Sequence, residues 1–211
     1  MLMKTLSDLG FFRYVIVHPL NGFWVLKRER RVSVWSAVIL FVLFAVSSIL
    51  TGYFTAYLFA PVSSKRDNIL LIAVMSLLPY ALWCVSNWCI TSLADGEGSF
   101  KDIVCATAFG LAPLIITNLL NLGLGYVFSL NEANFYHLIS VTGMVWSYAL
   151  IFFGMMVTQQ YTLRKTIFIT LLTLAGMAII VLLAMFMWIL VMQVVNCFSD
   201  AYSELMLRMR E

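Results

Sequence analysis

Few side chains in this 211-residue sequence could do chemistry, and their spacing limits what that chemistry could be. The densest run is Asp95-Gly96-Glu97-Gly98-Ser99-Phe100-Lys101-Asp102. Two carboxylates in a short turn could face a cation, but they fall short of the roughly six to eight oxygens of a calcium cage. Ser99 and Asp102 have the spacing of a capping box, with Asp in place of the usual Glu or Gln, just before an apolar run at Ile103. Gly96 and Gly98 are expected to take positive φ in a tight reversal. His18 and His137 each lack a second ligand at helical spacing. Cys84, Cys89, Cys105 and Cys197 form no C-x-x-C pair and read as free thiols, the first three as buried ones. No H-E-x-x-H, G-x-S-x-G or G-x-x-x-x-G-K-[ST] occurs. The expectation is a protein with no catalytic centre, no metal and no cofactor.

The elements that must position these residues follow from where charge is missing. All 23 charged residues lie in 57 positions, and five windows carry none: 32–64, 68–94, 103–131, 133–163 and 166–199. Apolar residues make up 63% of the chain and charged residues 11%, against about a quarter charged in a soluble domain. Each window exceeds the roughly 20 residues a helix needs to cross about 30 Å of hydrocarbon, and none holds two crossings and a turn. A barrel strand would need only about 9–11 residues of alternating polarity. The sequence therefore specifies an all-α, polytopic integral membrane protein. It consists of a segment 1–31, a five-helix bundle over 32–199 and a short tail 200–211.

Before the first window, Leu2, Leu6, Leu9, Phe12 and Ile16 recur at helical spacing, so 1–31 is expected to hold an amphipathic helix in the interface, broken near Pro19 and Gly22. Phe23 and Trp24 would lie at headgroup level, with Lys27, Arg28, Arg30 and Arg31 against anionic lipid. The first window begins well after Met1 and follows this basic cluster, so no cleaved signal peptide is expected. Nine basic residues fall on the N-terminal side of the spans and four on the other. Basic loops stay cytoplasmic, which places the N-terminus inside, the C-terminus outside and 95–102 in the cytoplasm.

Within the spans, Ser48, Gly52, Ala56 and Ala60 form a small-residue stripe in steps of four, a helix-packing signal. Ala106 with Gly110, and Gly143 with Ser147, repeat it. Pro79 and Pro113 are expected to interrupt the second and third spans as kinks, each followed eight residues later by an asparagine, Asn87 and Asn121. Ion-coupled transporters place charged groups inside the membrane, and these spans have none, so a self-contained pump is disfavoured.

The string Leu93 to Ile103, continued by Ala106-Thr107-Ala108 and Leu111-Ala112-Pro113, resembles the central signature of the Yip-one-domain family, whose eukaryotic members interact with Ypt/Rab GTPases. The resemblance runs from His18-Pro19 to about Ser199. It implies a cytoplasmic N-terminus, about five spanning helices and a scaffold role. With about 31 residues before the first span, the chain is similar to short bacterial members, some of them associated with transport systems, which implies a bacterial cytoplasmic membrane.

The expected function is a non-enzymatic scaffold or accessory subunit. Its partners would be the lipid bilayer and another integral membrane protein such as a transporter permease, met through Asp95–Asp102, with self-association open and no nucleic acid involved. The alternative is a permease or channel component for a neutral or lipid-like solute. A reporter active only in the cytoplasm should be silent when fused after Glu211, and signal there would overturn the orientation.

Overall fold

A computed structural model describes residues 14–28, 34–54, 68–126 and 132–208. Among these residues every regular element is helical. The helices are α1 (Pro19–Arg28), α2 (Val34–Phe54), α3 (Ile69–Leu93), α4 (Phe100–Gly110), α5 (Ala112–Leu124), α6 (Ala133–Gln159) and α7 (Leu163–Arg208). Five spans are long and apolar enough to cross a membrane: α2, α3, α4 with α5, α6, and α7 as far as Ser199. The chain is thus an all-α, multi-pass membrane protein, as its charge pattern requires.

The third span occupies the centre. In α4, Ile103 and the whole run Cys105–Gly110 are buried, so this helix is covered all round rather than along one stripe. Small residues make that possible. Gly110 lies where a Cβ would come within 3.1 Å of the Ile151 backbone nitrogen, and the Ser147 hydroxyl donates to the Gly110 carbonyl at 2.6 Å. One turn further, a Cβ on Gly143 would sit 2.7 Å from Thr117 Cβ. In lipid, close packing and hydrogen bonds of this kind, not hydrophobicity, hold helices together. The expected pairs Ala106/Gly110 and Gly143/Ser147 therefore both make contacts inside the chain.

The two prolines behave differently. Pro113 divides the third span: the helix turns at Leu111 and restarts at Ala112 with proline in its first turn, where a missing N–H costs least. Pro79, expected to interrupt its span, sits inside α3, which runs unbroken for 25 residues. The asparagines serve as interhelical ties. Asn87 Nδ2 donates to Thr173 Oγ1 (3.3 Å), Asn118 Nδ2 to Ser47 Oγ (3.3 Å) and Asn121 Nδ2 to Ser140 Oγ (2.7 Å). Ser86 Oγ adds a bond to the Thr173 carbonyl at 2.8 Å, fixing α7 against α3. Of the small-residue stripe, Gly52 meets the Ile72 side chain and Ser48 returns its hydroxyl to the Phe44 carbonyl. Ala56 and Ala60 lie outside the described residues.

Helix α1 of the N-terminal segment packs on the bundle, while Leu2, Leu6, Leu9 and Phe12 of the expected amphipathic stripe lie outside the described residues. The chain bends at His18, beside the break expected near Pro19, while the helix runs on through Gly22, which sits against Val15, where a Cβ would be 2.9 Å from Val15 Cα. That fold-back drives Phe23 into the bundle, fully buried against Gly154, while Trp24 stays exposed. Phe23 and Leu26 share a core with Ala37, Leu40, Ala106, Phe109 and Leu150. At the other end, the expected boundary between span and tail at Ser199 is no helix boundary, since α7 continues to Arg208. Its first half packs on α3, while every residue from Val181 to Ser199 is exposed.

Gly143→Val should lower thermal stability in detergent, since overpacking a tight contact costs about 1–3 kcal/mol. Gly123→Ala, whose Cβ would meet nothing within 4 Å, should be neutral or stabilising. Equal melting temperatures for the two variants would refute the close-approach account.

Candidate functional site: the 94–102 loop and its glutamine clasp

The loop between α3 and α4 is built from its ends inward. Ser99 caps α4: its hydroxyl accepts from the Asp102 backbone N–H, while the Asp102 carboxylate accepts from the Ser99 N–H at 2.9 Å and from its hydroxyl at 2.7 Å. The expected capping box is thus present in full, with the shorter aspartate reaching because it bonds both Ser99 groups. At the α3 end the Gly96 N–H bonds the Thr91 carbonyl at 2.9 Å, closing the turn.

The glycines work differently from expectation. Neither Gly96 nor Gly98 has positive φ; the left-handed residues are Asp95 and Gln160, both at φ 53°. What the glycines supply is room for Gln159. A Cβ on Gly96 would collide with Gln159 Oε1 and lie 2.7 Å from the Tyr161 hydroxyl, and one on Gly98 would lie 2.8 Å from Gln159 Nε2. Gln159, the last residue of α6, is 1% exposed, and its Oε1 accepts from the Gly98 N–H at 2.8 Å. The Tyr161 hydroxyl donates to the Ala94 carbonyl at 3.1 Å. Burial pushes the Tyr161 phenol above its ordinary value and Asp95 adds to the rise, so it stays a donor at neutral pH. The loop is clasped by the α6–α7 turn from below.

A third element reaches it from the side. Lys27 of α1 pairs with Glu97 at 3.5 Å, an exposed bridge of small energetic weight. Of the residues expected at lipid headgroups, Lys27 therefore turns toward the loop. Arg28 lies over the Trp24 ring at 4.9 Å, and Arg30 and Arg31 fall outside the described residues. Trp24, Lys27 and Arg28 line an open recess of ≈ 650 Å³ with Gln160 and Tyr161. Phe100 rests edge-on against Trp88, with ring centroids 5.7 Å apart, and is 41% exposed. Asp95, Glu97 and Lys101 also face outward.

The sequence reading located the loop and its cap but missed Gln159 and Tyr161. Their one signal was a polar Gln-Gln-Tyr run closing an apolar window. Among the described residues no three of His, Cys, Asp and Glu gather as a metal site, and the four cysteines are free. Cys84 and Cys105 are buried as expected, whereas Cys89 is exposed on α3.

A five-span helical bundle with a clasped Asp-Gly-Glu-Gly loop defines a multi-pass membrane protein. The Yip1 domain family matches residues 13–194, and the chain belongs to that family. Comparison with curated proteins and with solved structures gave no match.

Gln159→Ala should strip the part-buried Gly98 N–H of its partner, at a cost of about 1 kcal/mol. Gly96→Ala with Gly98→Ala should destabilise the chain by expelling the Gln159 side chain. Combining that pair with Gln159→Ala should then cost less than the two effects added together. Strict additivity of the melting shifts would show that the glycines and Gln159 do not interact.

Proposed function

We propose that this chain is a non-enzymatic scaffold or accessory subunit that binds another integral membrane protein, such as a transporter permease, through the 94–102 face. The observation that carries this reading is the contrast between the loop's inner and outer sides. Inside, Gln159, Tyr161 and the Ser99–Asp102 box fix the backbone. Outside, Leu93, Asp95, Glu97, Phe100 and Lys101 are left exposed. A rigid loop loses little entropy on binding, and an aromatic anchor ringed by charge is the usual composition of an interaction hot spot.

The family is membrane-associated and linked to Rab and trafficking interactions, which supports protein binding as the common theme. The basic balance of the loops supports a cytoplasmic position for this face, and the resemblance to short bacterial family members supports a bacterial cytoplasmic membrane. The intramembrane asparagines donate to neighbouring helices, which favours a scaffold over a polar permeation path.

Purified in mild detergent, the 23.9 kDa chain should carry a stoichiometric second protein. A photo-crosslinker at Phe100 should capture that protein, and one at the lipid-facing Leu171 should not. Phe100→Ala should reduce its retention about tenfold, equivalent to about 1.4 kcal/mol. A lone monomer under several mild conditions, or equal capture from both positions, would overturn the proposal.

A further inference from the structure

Halfway along the bundle, α3, α6 and α7 leave an apolar cleft of ≈ 400 Å³. Pro79, Tyr80 and Trp83 form one wall, Tyr148, Ile151 and Phe152 a second, and Thr170, Leu174 and Met177 the third. The volume falls within the range of about 300–1,000 Å³ typical of small-molecule sites, which are apolar and aromatic with a few placed polar groups. Ile151 is buried at the floor, while Tyr148 and Leu174 are about half exposed and mark the mouth on the lipid-facing surface.

One polar atom in this wall is unspent. The Trp83 indole Nε1 is buried and has no hydrogen-bond partner. The other buried orphans, on Asn87, Asn121 and Gln159, belong to residues that do not line the cleft. Trp83 lies ten residues before Leu93, the end of α3, so at roughly 1.5 Å per residue its depth is about 15 Å, near the middle of the hydrocarbon. Water is absent there, and a donor without a partner costs several kcal/mol.

We infer that this cleft is a binding site for a hydrocarbon-soluble molecule carrying a hydrogen-bond-accepting carbonyl, held by Trp83 Nε1 with its apolar body among Tyr80, Tyr148 and Phe152. The aromatic walls suit a flat ring, as in a quinone. An acyl carbonyl from a neutral glycerolipid offers the same acceptor, whereas a phospholipid ester stays near the headgroups. The site is separate from the 94–102 face and does not depend on the scaffold reading.

The test uses the full chain in phospholipid nanodiscs, with a decyl-substituted benzoquinone and a diacylglycerol as separate probes and binding followed by native mass spectrometry and titration. Saturable one-to-one binding is expected for at least one probe. Trp83→Phe, which keeps the ring and removes the donor, should weaken it several-fold. Leu174→Trp, at a half-exposed position, should abolish it by filling the mouth, with an unchanged melting temperature showing that the fold is kept. Binding of the quinone alone identifies a ring ligand, and binding of the diacylglycerol alone a lipid carbonyl; either supports the site. Absence of saturable binding by both probes, or binding that survives both substitutions unchanged, would overturn it.

Discussion

The close approach of α6 to α4 at Gly110 is the constraint from which the rest of the bundle follows. Ile151 rests on Gly110 where any side chain would intervene, and Ser147 bonds the Gly110 carbonyl at 2.6 Å. With α6 held there, Gly143 comes against Thr117 above and Gly154 receives Phe23 below. A single line of small residues on α6 thus docks both halves of the third span and the N-terminal helix. Because lipid gives no hydrophobic drive between helices, each of these contacts depends on shape, and shape here means glycine.

The same helix carries the order outward to the loop. Its last residue, Gln159, enters the space that Gly96 and Gly98 leave open, so the geometry of the core sets the geometry of the 94–102 turn. Tyr161 and Lys27 add ties from the next turn and from α1. The loop is therefore an extension of the packed bundle, and this is why its exposed side chains stand in fixed positions instead of sampling many.

Polar groups inside the membrane divide between those that return to their own helix, as Ser48 does, and those that tie one helix to another. Asn87, Asn118, Asn121, Ser86 and Ser147 each donate to a neighbouring helix. Among the groups that line the Pro79 cleft, the Trp83 N–H stands apart as a buried donor left unpaired. α7 shows the opposite economy: from Val181 to Ser199 it gives up packing and presents mostly apolar side chains, as a helix in lipid does.

Charge, length and local spacing determined the membrane class, the five spans and the capped start of α4, because each rests on a local cost. A charge cannot lie in hydrocarbon, a helix needs a fixed number of residues to cross it, and Ser99 and Asp102 are three residues apart. The small-residue pairs on α4 and α6 were also legible, since spacing of four places them on one face. Tertiary structure decided what no local cost contains. The glycines of the loop looked like turn residues, yet their role is to make room for Gln159, some 60 positions away. Nothing local to Phe23 says that its ring packs on Gly154 of α6. Pro79 and Pro113 carry the same local rule but differ in outcome, for only Pro113 falls where the helix turns and restarts. In each case the deciding partner comes from a distant helix, and sequence spacing carries no information about which helix that will be.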